Sequence, residues 1–201
     1  MNKNLHIILS LFLFSFTVIS CSDEKEESTE NSGTTTTTDD TTNSSGLFVS
    51  VGDSGTILTS SDGTTWTSRT SGTSNSLTGI TYGNNTFVTV GQSGTIFTSS
   101  DGTSWTSRTS GTSNELLGIT FKNSSNVVVG SSGTILTSTD GISWTSRESG
   151  SSNKLSGISY GNGLFVISGD SGTIVTSSDG ESWTSRTSGT SNNLRTVSER
   201  H

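Results

Sequence analysis

Along residues 47–201 the apolar positions come in short runs, and each set of runs returns at a fixed spacing. One set fills residues 76–114. Its runs are Leu77 to Tyr82, Thr86 to Val90, Thr95 to Ser99 and Trp105 to Thr109. Between them stand Gly83-Asn84-Asn85, Gly91-Gln92-Ser93-Gly94 and Asp101-Gly102. Ser110-Gly111-Thr112-Ser113-Asn114 closes the set. No run has a helical period, and none is long enough for a helix. Gly, Asn and Asp tolerate the backbone angles of tight turns, so the pattern predicts four short antiparallel strands. Apolar residues stand at both strand parities, for instance Phe87 beside Val88 and Ile96 beside Phe97. Neighbouring side chains point to opposite faces of a sheet, so both faces need cover.

The spacing between sets supplies that cover. Trp66, Trp105, Trp144 and Trp183 follow one another at 39 residues, within the phrases SSDGTTWTSR, SSDGTSWTSR, STDGISWTSR and SSDGESWTSR. A period near 40 with four strands per unit is the signature of propeller blades, in which each sheet packs between two others. The fold class expected is all-β, a four-bladed β-propeller of 39-residue repeats. The first repeat begins at Leu47-Phe48-Val49, which match a second strand. Asn193-Leu194-Arg195-Thr196-Val197-Ser198 match a first strand. The phasing therefore predicts that the C-terminal strand completes the first blade, giving a closed monomer and hiding an open edge. Half of an eight-bladed dimer, or an open stack, is the other arrangement these ends allow. Blade three is the least regular, with Asn126 where its siblings have Phe48, Phe87 and Phe165, and Lys122 at a turn glycine.

The N-terminal part reads differently. Residues 1–20 hold Lys3 and a largely apolar run from Ile7 to Ile19, the pattern of a secretory signal. The run ends in Val18-Ile19-Ser20-Cys21, which resembles the bacterial lipobox. That resemblance implies lipidation at Cys21, the one cysteine of the chain. The protein is then expected in the bacterial cell envelope, held to the outer membrane and open to surface display. Residues 21–46 hold seven acids, one lysine and no large apolar side chain after Cys21, so the composition predicts a tether with nothing to bury. Residues 47–201 carry ten acids and eight bases. That near-neutral balance has no basic stripe, so no nucleic-acid partner is expected.

The phrase Ser60-Ser61-Asp62-Gly63-Thr64-Thr65-Trp66 and its copies resemble the Asp box of bacterial neuraminidase (BNR) repeats, in a form one residue shorter. Related propellers include those resembling photosystem II assembly factors. In that family the Asp box is structural. The resemblance thus implies that Asp62, Asp101, Asp140 and Asp179 fix turns and that Trp66, Trp105, Trp144 and Trp183 tuck between strands. It does not imply catalysis. A sialidase needs an arginine trio and a Tyr/Glu pair, whereas Arg69, Arg108, Arg147 and Arg186 occupy equivalent outer-strand positions. The histidines are His6 and His201, so a His-based triad is not expected. Each Asp box offers one carboxylate, too few for a calcium loop. The chain is expected to be no enzyme, with no metal and no cofactor.

A binding face is expected where the loops before the first strand and between the second and third strands meet. The first kind carries Asn75, Asn114, Asn153 and Asn192. The second carries Asp53, Gln92, Ser131 and Asp170, which differ between repeats, as do Ser76, Glu115, Lys154 and Asn193. A polar face of this kind suits a protein loop or a glycan. The function expected is a binding or scaffold module anchored in the envelope. The alternative is a carbohydrate-active protein, lectin-like or a degenerate glycosidase.

Overall fold

The computed structural model describes residues 46–200. Cys21, the leader and the rest of the tether lie outside them. Fifteen strands form among the described residues. The first blade holds β1 (Phe48–Val51), β2 (Ile57–Ser60) and β3 (Thr67–Arg69). The second holds β4 (Leu77–Gly83), β5 (Thr86–Gly91), β6 (Ile96–Ser99) and β7 (Thr106–Arg108). The third holds β8 (Leu116–Lys122), β9 (Ser125–Gly130), β10 (Ile135–Ser138) and β11 (Thr145–Arg147). The fourth holds β12 (Leu155–Gly161), β13 (Leu164–Gly169), β14 (Ile174–Ser177) and β15 (Thr184–Arg186). Each blade is an antiparallel meander in sequence order. The fold is the expected one, all-β and four-bladed, in propeller fashion.

Local sequence explains the strand ends. The β4–β5 hairpin turns on Asn84 and Asn85, with φ of 51° and 57°. Two successive positive φ values make the turn that matches strand twist, and asparagine tolerates them. Asn123-Ser124 and Asn162-Gly163 repeat it. A bulge between Leu77 and Gly79 recurs in the third and fourth blades. In the second blade it frees Thr78, whose hydroxyl donates to the Leu116 carbonyl of the next blade at 2.6 Å.

The core sits between blades, which is why both faces of each sheet are apolar. Val127, Ile135, Leu155, Phe165 and Ile167 join the third and fourth blades. Val88, Val90, Ile96, Leu116 and Leu136 join the second and third. Ile57, Leu77 and Phe97 join the first and second. The inner strands β4, β8 and β12 lie side by side. Gly83 lets β8 approach, since a β-carbon there would drive into the Phe121 ring.

Closure differs from the expectation. The first sheet has three strands, and residues 193–200 form no ladder with β1. They lie along β12 instead. Leu194 N–H donates to the Gly169 carbonyl at 3.0 Å, as Leu77 N–H donates to Gly52 at 3.0 Å. Gly157 faces the Thr196 backbone and Gly161 the Glu199 side chain. The physical reason lies in the repeat itself. A segment that resembles β4 carries the contacts of an inner strand against the preceding blade, and those contacts form whether or not a second strand waits on its far side.

Blade three is complete despite its irregularities. Asn126 is buried, and its amide donates to the Ser138 carbonyl at 3.3 Å. Its Oδ1 is buried without a hydrogen-bond partner.

Candidate binding face

The second and third strands of each blade are joined by a tight 3-10 turn: Asp53–Gly55, Gln92–Gly94, Ser131–Gly133 and Asp170–Gly172. Ser93 and Gly94 have φ of 54° and 68°, and the other turns repeat this pair closely. The turn is held from the loop before the blade's first strand. Gln92 N–H donates to the Ser76 carbonyl, Ser131 N–H to Glu115 and Asp170 N–H to Lys154, at 2.8–2.9 Å. The two loop types therefore meet on one side of each of these blades.

The asparagines serve the frame. Asn75, Asn114 and Asn153 each donate from Nδ2 to a threonine hydroxyl, Thr95, Thr134 and Thr173, at 2.9 Å. Their amides are spent in tying loop to turn. Asn192, the fourth of the set, is exposed. The buried Ser71, Ser110 and Ser149 complete the frame, each bridging the N–H and carbonyl of the residue two positions on. The bare Ser-Gly-Thr-Ser-Asn phrase signals a loop, and its regular return is the sign that it is scaffold.

What remains for recognition is the set of tips. Asp53 and Gln92 are exposed, while Ser131 and Asp170 are half-buried. Gln92 Oε1 accepts the Ser76 N–H at 3.3 Å. Asp170 buries Oδ1 without a hydrogen-bond partner. Glu115 and Lys154, at the tips of neighbouring blades, stand 3.8 Å apart. A cleft of about 550 Å³ opens beside this frame, bounded by Asn75, Ser93, Thr95, Arg108 and Thr112.

The Asp boxes are turn locks. Asp101 Oδ1 accepts the Thr103 and Ser104 N–H groups at 2.8 Å each and the Ser99 hydroxyl at 2.9 Å. Asp62, Asp140 and Asp179 do the same. The N–H groups of Thr65 and Thr64 hold the Asp62 carboxyl well below the usual carboxylate range, and those of Ser104 and Thr103 do so for Asp101. The N–H groups of Ser143 and Ile142 lower Asp140 to about 2, and those of Ser182 and Glu181 lower Asp179 to about 2. Hydrogen bonds to a charged form favour it. A carboxyl depressed in the folded state adds stability above its unfolded value near 3.8, and that stability is lost as pH falls through the folded value. The melting temperature is therefore expected to hold down to about pH 4 and to fall between about pH 4 and 2. Asp140→Asn should flatten that acid slope in calorimetry and lower the melting temperature at neutral pH.

The tryptophans differ from blade to blade. Trp105 Nε1 donates to the Gly102 carbonyl at 3.1 Å, and Trp144 Nε1 to Gly141 at 3.2 Å. Trp105 and Trp183 lie 6.5 and 6.2 Å from the rings of Phe87 and Phe165. Trp66 is 41% exposed.

No catalytic set converges among these residues. Arg69, Arg108, Arg147 and Arg186 each donate Nε to a threonine on the neighbouring strand, two positions along from the isoleucine opposite, at 2.8–2.9 Å. They are spread one per blade. Tyr82 and Tyr160 stack on Phe87 and Phe165 beside hairpin turns. Among the described residues no three His, Cys, Asp or Glu side chains gather as a metal site.

No family model matches the chain, and no curated protein matches it. Solved structures do. The structure described as YCF48 bound to D1 peptide superposes with a TM-score of 0.56 at 18% identity, over 69% of this chain and 49% of that one. YCF48 from Cyanidioschyzon merolae superposes with a TM-score of 0.54 at 20% identity, over 74% of this chain and 54% of that one. The likeness is one of fold: both are β-propellers. The matched region spans about half the length of those propellers.

Proposed function

We propose that this chain is a non-catalytic propeller, anchored by a lipid on Cys21 in the bacterial envelope, that binds a protein segment across its loop tips. One observation carries the reading. The repeated polar groups are engaged in the fold, whereas the residues that differ from blade to blade gather at the tips. Asp53, Gln92, Ser131 and Asp170 thus form a varied surface on an invariant frame. Asp53 and Gln92 stand exposed on it, a carboxylate and an amide able to bond the backbone of a peptide. A peptide-bound YCF48 supports the choice of a protein ligand over a glycan, since a propeller of similar fold holds a peptide.

The test uses the full chain in its native membrane. Capture followed by cross-linking is expected to recover a defined protein partner, and Gln92→Ala together with Asp53→Ala should weaken that capture at least about tenfold, the loss of one to two hydrogen bonds to charged or polar groups. Cys21→Ala should release the protein from the membrane fraction. Turnover of sialyl or aryl-glycoside substrates would overturn the reading. Selective retention on a glycan array, with no protein captured, would move it to a lectin.

A further inference from the structure

We propose that two copies of this chain join head to tail into one eight-bladed ring, each completing the other's first blade with its 193–199 segment. Both ends of the four-blade array are left uncovered. On blade one, β1 has a partner on one side alone, and Phe48 is 55% exposed, whereas its counterpart Phe165 is fully buried. Each blade also packs its Asp-box turn on the blade before it. Gly102 lies against Leu47 and Val49, Gly141 against Val88, and Gly180 near Val127. The matching Gly63 meets only Phe48 of its own blade. The surface it lacks is present at the other end of the chain, where Leu164 stands 40% exposed beside the half-buried Val166.

The two ends are complementary in register. If residues 194–199 pair with β1 as β4 pairs with β5, Val197 falls opposite Ser50, Ser198 opposite Val49 and Glu199 opposite Phe48. The turn bond made by Gln92, Ser131 and Asp170 has a fourth member in Asp53, whose partner by the same rule is the Asn193 carbonyl. Thr196 replaces the inner glycine, and it fits, because a β-carbon at Gly79 has 3.4 Å to its nearest neighbour. These contacts are not made among the described residues, and a second copy offers both missing surfaces at one joint. The joint is heterologous, and it closes after two copies if each spans half a ring. Each chain supplies four blades, so two copies give eight. The acidic residues before position 46 offer no apolar side chain to occupy the edge instead.

Cysteine pairing tests the joint on the full chain carrying Cys21→Ser. Ser50→Cys with Val197→Cys is expected to oxidise to a covalent dimer on a non-reducing gel. The two single variants, mixed after refolding, should cross-link only to each other. A disulfide closed within one chain would overturn the proposal, and so would no disulfide at all in folded protein. Native mass spectrometry of the unaltered chain guards against a variant that fails to fold. An assembled mass twice that of the denatured chain is expected; one chain, or a ladder of longer polymers, refutes the ring.

Discussion

Gly94→Ala will lower the unfolding free energy by about 2–5 kcal/mol, the sum of about 1–2 for a left-handed backbone and about 1–3 for overpacking. Gly94 has φ +68°, and its missing β-carbon is what lets the turn lie on the next loop. A methyl there would drive into the Thr112 carbonyl and come within 2.8 Å of Ser110 Oγ. Neither neighbour can retreat. Ser110 is buried and its hydroxyl bridges Thr112 N–H and O, so displacing it breaks the knot that shapes the loop face. Gly111→Ala is the internal control. Gly111 has φ +76° but open space around a β-carbon, so it should lose only the backbone share, about 1–2 kcal/mol. Urea unfolding of both variants measures the difference. Equal losses would mean that the turn does not rest on the loop as described.

Trp105→Ala will cost about 3 kcal/mol, the lower end of the range for emptying a large aromatic site, because the ring is only partly buried. The indole packs on the cluster of Ile57, Leu77 and Phe97 and bonds the Gly102 carbonyl at 3.1 Å. It therefore supports two things at once, the Asp-box turn and the contact between the first and second blades. Trp105→Phe keeps most of the apolar area and loses the hydrogen bond, so it should recover more than half of the deficit. A chemical denaturation series on the three proteins decides this. If Phe restores nothing, the turn bond outweighs burial.

Much of the architecture could be read from residues alone, because each blade repeats its own punctuation. Asn84-Asn85 predicted a hairpin and makes one. Leu77 to Tyr82 predicted a strand, and β4 runs one residue further. The Asp boxes were legible through their resemblance to the neuraminidase repeat, which implies that these aspartates fix turns. Closure was not legible. Leu194 to Ser198 carry the pattern of an inner strand, and that pattern is the same whether the strand completes the first blade or opens a new rank beside the fourth. Only the geometry separates the two, through the three-stranded first sheet and the exposed Phe48. The face was legible in part. Asn75, Asn114 and Asn153 read as ligand-seeking amides because polarity in a loop has two uses, and here the fold takes the first. Their twenty-residue reach to Thr95, Thr134 and Thr173 has no local signature.

The apolar clusters between blades shrink toward the N-terminal end of the array, from seven buried side chains at the third and fourth blades to three at the first and second. That gradient has a mechanical meaning. The segment before residue 46 joins the array at β1, so any pull transmitted through it arrives at the least supported sheet. The load falls first on the four residue pairs between β1 and β2. Should that ladder part, the lost residues leave three four-stranded blades whose own junctions are the better packed ones. The single chain is thus built to yield first at β1, and under the proposed lipid anchor it would shed strain there before the tips of its remaining blades were disturbed.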